Sequence, residues 1–428
     1  MKCVTNIRDA IQNNARNGRE SKMNKPHIVL LGAGYGGMMT AVNLQKQLGV
    51  NEANITLVNK NDYHYQSTWL HEVAAGTIHH DRARIAIKDV IKTNRITILQ
   101  DTVVEIKPDE KKVKLENAVL DYDILVVGLG FEAATFGIPG LEENAFMIGN
   151  IDSSRLLREH LEYHFAQYNN ERDKKQARLN IVVGGGGFTG IEFVGELANR
   201  VPELCEEYDI NKAQVRIINV EGAPTVLPGF DPQLVEYAMN SLESRGVEFV
   251  LGAMLKECKP DSIVYEKDGK MVEVPTMTTV WAAGVKANGI VENSGFETNR
   301  GKIEVRKDMR TPEYDDVFVI GDCALIMNPE TGRPFPPTAQ IAIQQSYTVA
   351  KNIKALVRGG AELETFEPNI LGTVASLGHN DAIGVVMGDH KIFGWSATAM
   401  KKIIDNRYLL KLGGIGLLMK KGKFNFFY

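Results

Sequence analysis

Short apolar runs alternate along the chain with longer stretches that mix apolar and polar residues, a pattern that predicts strands alternating with helices. The same order of elements occurs twice, in two copies about 150 residues apart. The predicted elements are strand Ile28–Leu31, helix 36–48, strand Asn54–Val58, then strand Asn180–Val183, helix Phe188–Arg200 and strand Val215–Val220. Strands joined through helices lie parallel, so we predict an α/β fold of the doubly wound kind.

Further elements between and after the two copies indicate how the chain is divided. Strand Ile124–Val127 and strand Thr278–Ala282 both run into small residues, and helices are predicted at Ser153–Lys175 and Thr338–Val357. This similarity between the two strands is expected when a chain leaves one domain, forms a second domain and returns to complete the first. We predict a disordered leader at 1–22, a first domain at 23–140 and 286–350, a second domain at 141–285, and a C-terminal region at 351–428.

A glycine-rich turn follows the first strand of each copy. In Gly32-Ala-Gly-Tyr-Gly-Gly37, Gly32 permits a tight turn, Gly34 lets the backbone approach a pyrophosphate, and Gly37 lets helix and strand pack closely. Gly185-Gly-Gly-Phe-Thr-Gly190 repeats this spacing. The following helix offers free N–H groups and a positive dipole to phosphates. We call these turns the first and second cradles, and they predict two Rossmann-like dinucleotide-binding domains.

The residue at the end of the second strand differs between the two copies. Glu221 offers a carboxylate that can accept a hydrogen bond from a ribose 2′-hydroxyl and would repel a 2′-phosphate, which favours NAD(H) over NADP(H). A solvated glutamate at a strand end is the alternative. The first copy has Asn59 at this position, so its ligand stays open. Asp322, after strand 317–320, fits a flavin ribityl site, although a helix N-cap is the better explanation of Gly321-Asp322 taken alone.

Composition and charge exclude several classes of protein. A hydrophobic fraction of 44% with 24% charged residues is typical of a folded globular protein, and a net charge of −4 argues against a general nucleic-acid binder. The cysteines Cys3, Cys205, Cys258 and Cys323 are too far apart for a CxxC pair or a zinc knuckle. No metal site is predicted. The polar leader lacks the apolar segment of a secretory signal.

The region from Lys391 to Tyr428 differs from the rest because it holds eight Lys or Arg against one Asp, a local charge of +7. On a helix, one face is predicted to carry Met400, Ile404, Tyr408 and Leu412, and the opposite face Lys401, Lys402, Asp405 and Asn406. A basic amphipathic helix is typical of one that lies on an anionic membrane surface. A core-packing helix or a dimer contact is the alternative. No uncharged stretch suits a membrane-spanning helix.

Taken together, the motifs resemble one family of flavoproteins. They are Gly32-Ala-Gly-Tyr-Gly-Gly37, Val126-Val-Gly-Leu-Gly130, Gly185-Gly-Gly-Phe-Thr-Gly-Ile-Glu192, Val319-Ile-Gly-Asp-Cys-Ala324 and Pro337-Thr-Ala-Gln-Ile-Ala-Ile-Gln344. With the basic tail, they resemble the type II NADH:quinone oxidoreductases over about residues 25–428. Related disulfide reductases carry a CxxxxC, and sulfide:quinone oxidoreductases need reactive cysteines. Neither arrangement exists in this sequence, and Cys323 is predicted to be a packed residue.

The resemblance implies a ligand for each cradle and a set of site residues. FAD is expected non-covalently at Gly32, Gly34, Gly37, Asn59, Lys60, Gly130, Asp322, Ala339 and Gln340. NADH is expected at Gly185, Gly187, Gly190, Glu192, Glu221 and Gly284. A membrane quinone, menaquinone or ubiquinone, is expected at Gln340, Gln344, Lys401 and Ile404. The C-terminal region would dock on the cytoplasmic side of the cell membrane, and a homodimer is expected.

The implied chemistry needs no recognisable catalytic triad, because hydride transfer depends mainly on positioning and the cofactor carries the electrons. Glu192, Gln340 and Lys401 are the predicted catalytic residues. The alternatives are a helix-start glutamate favoured by the helix dipole and ordinary amides bonded to backbone. Two other functions also fit the sequence: a soluble NADH-dependent reductase of a small electron-transfer protein, and a flavin-bound NADH sensor without turnover.

Overall fold

The computed structural model describes residues 25–425. The predictions for the leader at 1–22 and for the end of the aromatic tail at 426–428 lie outside the described residues. Within them, the predicted α/β architecture is confirmed, because two five-stranded parallel sheets dominate the chain.

The first sheet contains the strand that precedes the first cradle. Its five parallel strands are, in spatial order, Val317–Val319, Ile124–Val127, His27–Leu31, Asn54–Asn59 and Thr97–Gln100. The central strand is buried on both faces, with Ile28, Val29 and Leu30 fully inaccessible. Two helices, Tyr35–Gln47 and Ala339–Val357, pack against each other beside it. Parallel strands covered in this way read as continuous apolar runs, which is why the sequence reveals them.

The second sheet repeats this arrangement around the second cradle. Its parallel strands are, in spatial order, Ala145–Met147, Thr278–Trp281, Asn180–Gly184, Arg216–Glu221 and Val247–Leu251. The longer helices of this part are Ile151–Asn170, Phe188–Glu207 and Pro232–Ser244. The strand order places the second cradle at the carboxyl end of a central strand, where doubly wound sheets bind their ligands.

Smaller sheets and short helices connect the two large sheets. The three-stranded sheets are Val103–Lys107 with Lys112–Leu115 and Val119–Asp121, Ala253–Cys258 with Ser262–Lys267 and Lys270–Pro275, and Gly372–Ser376 with Ala382–Val386 and His390–Phe393. The two-stranded pairs are Tyr63–Tyr65 with Arg84–Ala86, Phe131–Ala133 with Val285–Ala287, and Ile303–Glu304 with Ala324–Leu325. The short helices are Leu70–Ala75, His80–Ala83, Leu141–Asn144 and Gly289–Asn293.

Two predicted helices have different bounds in the structure. The helix predicted at Ser153–Lys175 spans Ile151–Asn170, because the Asn150 side chain accepts a hydrogen bond from the Ser153 backbone N–H and caps its first turn. The helix predicted to end at Arg200 continues to Glu207 through Pro202. Its extra turns are held by burial of Leu204 and Cys205 in the core, which outweighs the local effect of proline.

The C-terminal helix spans Gly394–Lys421 and changes direction at Gly414, whose φ of 72° and ψ of −166° lie outside helical geometry. Glycine adopts this left-handed φ without the clash that a Cβ would cause. In the segment 25–425, no helix is long and apolar enough to cross a membrane.

Candidate functional site

The first cradle has the geometry that its glycine spacing predicts. Gly32 has a φ of +91°, and a Cβ there would overlap the Gly128 carbonyl oxygen. A Cβ on Gly37 would overlap the Gly32 carbonyl, so this glycine keeps the helix against the turn. Gly34 is different, since nothing lies within 4 Å of the position its Cβ would take. Gly130 has a φ of +76°, and nothing lies within 4 Å of the position its Cβ would take either.

The second cradle repeats this contrast between packed and open glycines. A Cβ on Gly185, where φ is +110°, would lie 2.7 Å from the Ala283 backbone nitrogen, and one on Gly190 would overlap the Gly185 carbonyl. Gly187 is open, with nothing within 4 Å. Gly284 has a φ of +94° and is covered by the Phe136 ring. In both cradles the middle glycine alone leaves the backbone free to contact a ligand.

Asn59 holds the first cradle in shape. Its Oδ1 accepts a hydrogen bond from the Ala33 backbone N–H at 3.0 Å, and its Nδ2 donates to the Asn61 carbonyl at 2.9 Å. The neighbouring Lys60 is exposed. The amide therefore links the end of its strand to the turn, and its role toward a ribose stays a prediction.

Glu221 holds the second cradle in a similar way. One carboxylate oxygen accepts from the Gly186 backbone N–H, and the other accepts from the Ala223 backbone N–H at 2.7 Å. Glu221 is therefore bonded to the backbone and partly exposed, and its role toward a ribose stays a prediction. Each oxygen keeps a second lone pair, so the carboxylate can still accept a bond from a ribose hydroxyl.

Asp322 is the residue whose surroundings fit a flavin best. Burial raises the pKa of its carboxyl group, an effect that Lys302 partly offsets. No residue in the described range 25–425 hydrogen-bonds to this carboxyl group. The carboxyl group is partly exposed, so it is accessible to a ligand. Together with the open face of Gly34, this accessible acceptor fits the polyhydroxyl chain and pyrophosphate of FAD.

The three cysteines within residues 25–425 are packed in the protein interior. Cys205, Cys258 and Cys323 are buried and unpaired, and burial raises the pKa of the Cys323 thiol to about 12. The Cys323 Sγ donates to the Gly130 carbonyl at 3.3 Å, which agrees with its prediction as a packed residue. A thiol held protonated is a poor nucleophile.

Gln340 and Gln344 use their amides to hold a neighbouring segment. Gln340 donates to the Gly372 carbonyl at 3.2 Å and accepts from the Leu371 N–H at 2.7 Å. Gln344 makes the same two bonds to the backbone of Asn369, at 2.7 and 2.9 Å. The alternative interpretation, amides bonded to backbone, therefore describes both residues. Each amide retains one further donor and one further acceptor position. Ala339 begins their helix.

Glu192 and Lys401 form an ion pair although they are 209 residues apart in the sequence. Glu192 lies in the first turns of helix Phe188–Glu207, and Lys401 lies on the C-terminal helix. The same glutamate oxygen accepts from the Ser376 backbone N–H at 3.0 Å. The side chains are 12% and 15% exposed, so the pair is screened from bulk water. The structure thus brings together two of the three predicted catalytic residues.

Burial and pairing act in opposite directions on this ion pair. Burial alone would raise the pKa of Glu192, but Lys401 and His71 outweigh it and the net pKa is lowered. For Lys401, burial favours the neutral amine, but Glu192 and Asp405 outweigh it and the pKa is raised. Both groups are therefore charged near neutral pH.

The structure does not keep the two predicted faces of the C-terminal helix apart. Asp405, predicted on the polar face, is buried together with Tyr408 of the predicted apolar face, and its Oδ2 accepts from the Trp69 indole N–H at 2.8 Å. Lys401 of the polar face also points inward, whereas Ile404 of the apolar face is 47% exposed. The polarity of the residues on this helix does not predict which of them are buried, because the charged residues that point inward are paired with residues on other elements.

Sequence reasoning missed most of the charges that surround the ion pair. We call them the buried ionic cluster, and its members are His71, Glu72, Glu192, Glu196, Lys401, Asp405 and Lys423. Glu72 pairs with Lys423, and Glu196 accepts from the Thr77 hydroxyl at 2.5 Å. A sequence signal did exist, since His71-Glu72 interrupts the otherwise apolar run from Trp69 to Ala75.

Comparison with known proteins gives the family. The type II NADH:quinone oxidoreductase of Staphylococcus aureus strain NCTC 8325 is 45% identical over 397 residues, which cover 93% of this chain and 98% of the relative. The chain belongs to the type II NADH:quinone oxidoreductase family. A model of the pyridine nucleotide-disulphide oxidoreductases also matches residues 26–346.

Solved structures share the fold of this family member. NDH2 from Plasmodium falciparum, in complex with NADH, superimposes with a TM-score of 0.82 at 17% identity, covering 93% of this chain and 97% of that one. The sulfide:quinone oxidoreductase of Aquifex aeolicus gives a TM-score of 0.75 at 20% identity, covering 91% of both chains. These likenesses concern the fold. A disulfide reductase requires a pair of cysteines, whereas the described cysteines of this family member form no pair.

Proposed function

We propose that this protein oxidises NADH bound at the second cradle and reduces a quinone beside the buried ionic cluster, with FAD held non-covalently in the first cradle. The observation that carries the proposal is the pair of cradles, each packed at its outer glycines and open at Gly34 or Gly187. The family to which the chain belongs is that of FAD-dependent NADH:quinone oxidoreductases, and the fold is the one this chemistry uses.

The first cradle, Asn59, Gly130 and Asp322 would hold FAD, with Lys60 and the start of helix Ala339–Val357 at its margin. When bound, FAD supplies the acceptor for hydride from NADH and the carrier of two electrons to quinone. The protein supplies position: packed glycines fix the turn, and the helix dipole at Tyr35 favours the pyrophosphate. Residues 23–140 and 286–350 are proposed as the FAD domain and 141–285 as the NADH domain.

The second cradle and Gly284 would bind NADH, with Glu221 selecting it against NADPH. One Glu221 oxygen accepts from the Gly186 N–H of the second cradle and the other from the Ala223 N–H, so the carboxylate is held in place. A 2′-phosphate near a carboxylate would be repelled.

Quinone is proposed to bind near Glu192, Lys401, Gln340 and Gln344, with Ile404 as an apolar neighbour. Lys401 and Glu192 place a cation and an acceptor within the protein interior. The unused amide N–H groups of the two glutamines suit a quinone carbonyl oxygen. Menaquinone and ubiquinone share these carbonyls and an apolar tail, so both belong in the assay.

The C-terminal region 351–428 is proposed to dock on the anionic surface of the cell membrane, on its cytoplasmic side. Its helix exposes several large apolar side chains next to its lysines, namely Ile403, Leu410, Ile415 and Met419. Exposed apolar groups beside basic groups favour binding at a lipid interface. A homodimer is a further part of the proposal, and sedimentation of the purified protein would test it.

One experiment tests the function directly. The purified protein should be yellow, NADH should bleach it without oxygen, and added menaquinone or ubiquinone analogues should restore the colour. Bleaching without recovery would support a flavin-bound NADH sensor instead. Recovery only with a small electron-transfer protein would support a soluble reductase.

A further inference from the structure

The imidazole of His71 lies between two carboxylates that belong to different ion pairs. Its Nδ1 is 3.5 Å from the Glu192 Oε2, and its Nε2 is 3.9 Å from the Glu72 Oε1. The side chain is only 4% exposed. Its Nε2 is a buried atom without a hydrogen-bond partner among the described residues. A buried ring nitrogen left unpaired costs free energy, which calls for a function.

The titratable groups that act on this imidazole come from its own helix and from other segments. Glu72 lies on its own helix, Leu70–Ala75. The other titratable groups of the buried ionic cluster come from three further segments: Glu192 and Glu196 from helix Phe188–Glu207, Lys401 and Asp405 from the C-terminal helix, and Lys423 from the segment that follows it.

Burial and pairing set the protonation that each of these groups prefers. Burial opposes ionisation of Glu72, but Lys423 outweighs it and lowers the pKa, as Lys401 does for Glu192. Burial raises the pKa of Asp405, and it raises that of Glu196 to about 7. The cluster therefore holds two ion pairs and two further carboxyl groups whose protonated form burial favours, and the imidazole separates the two pairs.

The proposed reaction needs a proton from outside its two substrates. NADH gives up a hydride and becomes NAD⁺, and the quinone gains two electrons and two protons to become a quinol. The hydride accounts for both electrons and one proton. One further proton must reach a quinone oxygen from solvent in each turnover, through a site that the protein otherwise shields from water.

A neutral imidazole is suited to pass on this proton. Burial lowers the pKa of His71, the largest effect on the ring, so one nitrogen carries a proton and the other can accept one. When Nε2 accepts a proton from Glu72 and Nδ1 releases one to Glu192, no net charge stays on the ring. The ring returns to its first tautomer when the Nε2 proton is lost to water and a proton from water binds Nδ1, an exchange that adds no net proton. The two distances exceed a hydrogen bond by less than about 1 Å, so small side-chain rotations close them.

We propose that His71 relays the proton of quinone reduction from the Glu72–Lys423 pair to the Glu192–Lys401 pair. The Glu72 carboxyl, re-protonated from solvent, gives its proton to Nε2, Nδ1–H gives a proton to Glu192, and Glu192 gives it to a quinone oxygen. Atoms and charge balance, because one solvent proton enters and one leaves on the quinol. The inference rests on the proposed function, since it assigns a residue to quinone reduction, the second half of the proposed reaction.

The test separates the two halves of the reaction in His71→Gln and Glu72→Gln. Bleaching by NADH should be unchanged. Recovery of colour with a quinone analogue should slow at least tenfold, since proton transfer by a positioned group is worth roughly 10²–10⁴ in rate. The loss should grow with pH, and free imidazole should partly restore the rate of His71→Gln. His160→Gln, a partly buried histidine on helix Ile151–Asn170, is the matched control and should behave as wild type.

A second measurement does not depend on turnover. In protein labelled with ¹⁵N-histidine, the His71 ring should show exchange between its two tautomers, and Glu72→Gln should stop this exchange. Equal slowing of bleaching and recovery, or an unchanged pH profile in both variants, would overturn the relay while leaving the proposed function intact. Failure of wild type to recover with any quinone would overturn both.

Discussion

Glu192 and Gln340 bind opposite ends of one short strand, Gly372–Ser376. Gln340 donates to the Gly372 carbonyl at 3.2 Å, and Glu192 accepts from the Ser376 N–H at 3.0 Å. The two side chains come from helices that pack on different large sheets. The strand therefore ties the flanks of the proposed quinone site together, and a change at either end should be felt at the other.

Gln340→Ala tests this connection. The variant loses two hydrogen bonds, each worth about 1 kcal/mol net, and frees one end of the strand. We expect recovery of colour with quinone to slow about tenfold while bleaching by NADH stays within about twofold, in rapid-mixing measurements. Asn352→Ala is the control. Asn352 lies on the same helix as Gln340, and its amide donates to the backbone carbonyls of Asp308 and Glu364. An equal loss in both half-reactions would contradict a role at quinone.

Gly34→Ala should separate cofactor binding from folding. The space around its Cβ is open, so the chain should fold with a thermal midpoint close to wild type, but the methyl group would occupy the approach of the pyrophosphate. Flavin content after purification should fall to a small fraction, as measured by absorbance. Gly37→Ala is the contrasting variant, because its Cβ overlaps the Gly32 carbonyl and should lower stability itself. Full flavin content in Gly34→Ala would refute the assignment of the first cradle.

Glu196 should make the stability of the protein depend on pH. Burial, followed by the nearby Glu72, raises its pKa to about 7 from an ordinary value near 4.5. The folded state therefore holds this proton more tightly than the unfolded state does. The stability from this group is complete below about pH 4.5 and is lost as pH rises through about 7, up to roughly 3 kcal/mol.

Glu196→Gln removes this titration but keeps an acceptor for Thr77. Relative to wild type, the variant should gain stability steadily between about pH 5 and pH 8 in urea unfolding, and the gain should level off above that range. Glu206→Gln, an exposed glutamate on the same helix, should track wild type at every pH. A constant difference across the range would show that Glu196 does not titrate there.

The exposed apolar face of the C-terminal helix should bind lipid. Ile415 and Met419 are 72% and 69% exposed and lie one helical turn apart. Replacing both by Glu should reduce binding to anionic vesicles at least tenfold in sedimentation, because it adds repulsion and removes buried apolar area. NADH bleaching should persist. Val119→Glu, at a 59% exposed site on a small sheet, is the control and should bind vesicles as wild type does.

The parts of this protein that could be predicted are those set by local geometry. Gly32 and Gly37 are required by a turn and a close contact within a few residues, so their spacing reveals the cradle. Helical periodicity could not predict that Lys401 is buried, because a charged side chain points into the protein only where an oppositely charged partner, in this case Glu192, lies nearby. That partner lies 209 residues away, and the spacing of charges along one helix carries no record of it.

The same separation in sequence orders the events of folding. The first cradle closes between Ala33 and Asn59, which are 26 residues apart, whereas the Glu72–Lys423 pair joins segments 351 residues apart. Long loops close late because their entropy must be paid before any contact rewards it. A refolding chain should therefore form the turn of the first cradle early, whereas the complete flavin site, which needs Asp322, and the buried ionic cluster both wait for long loops to close.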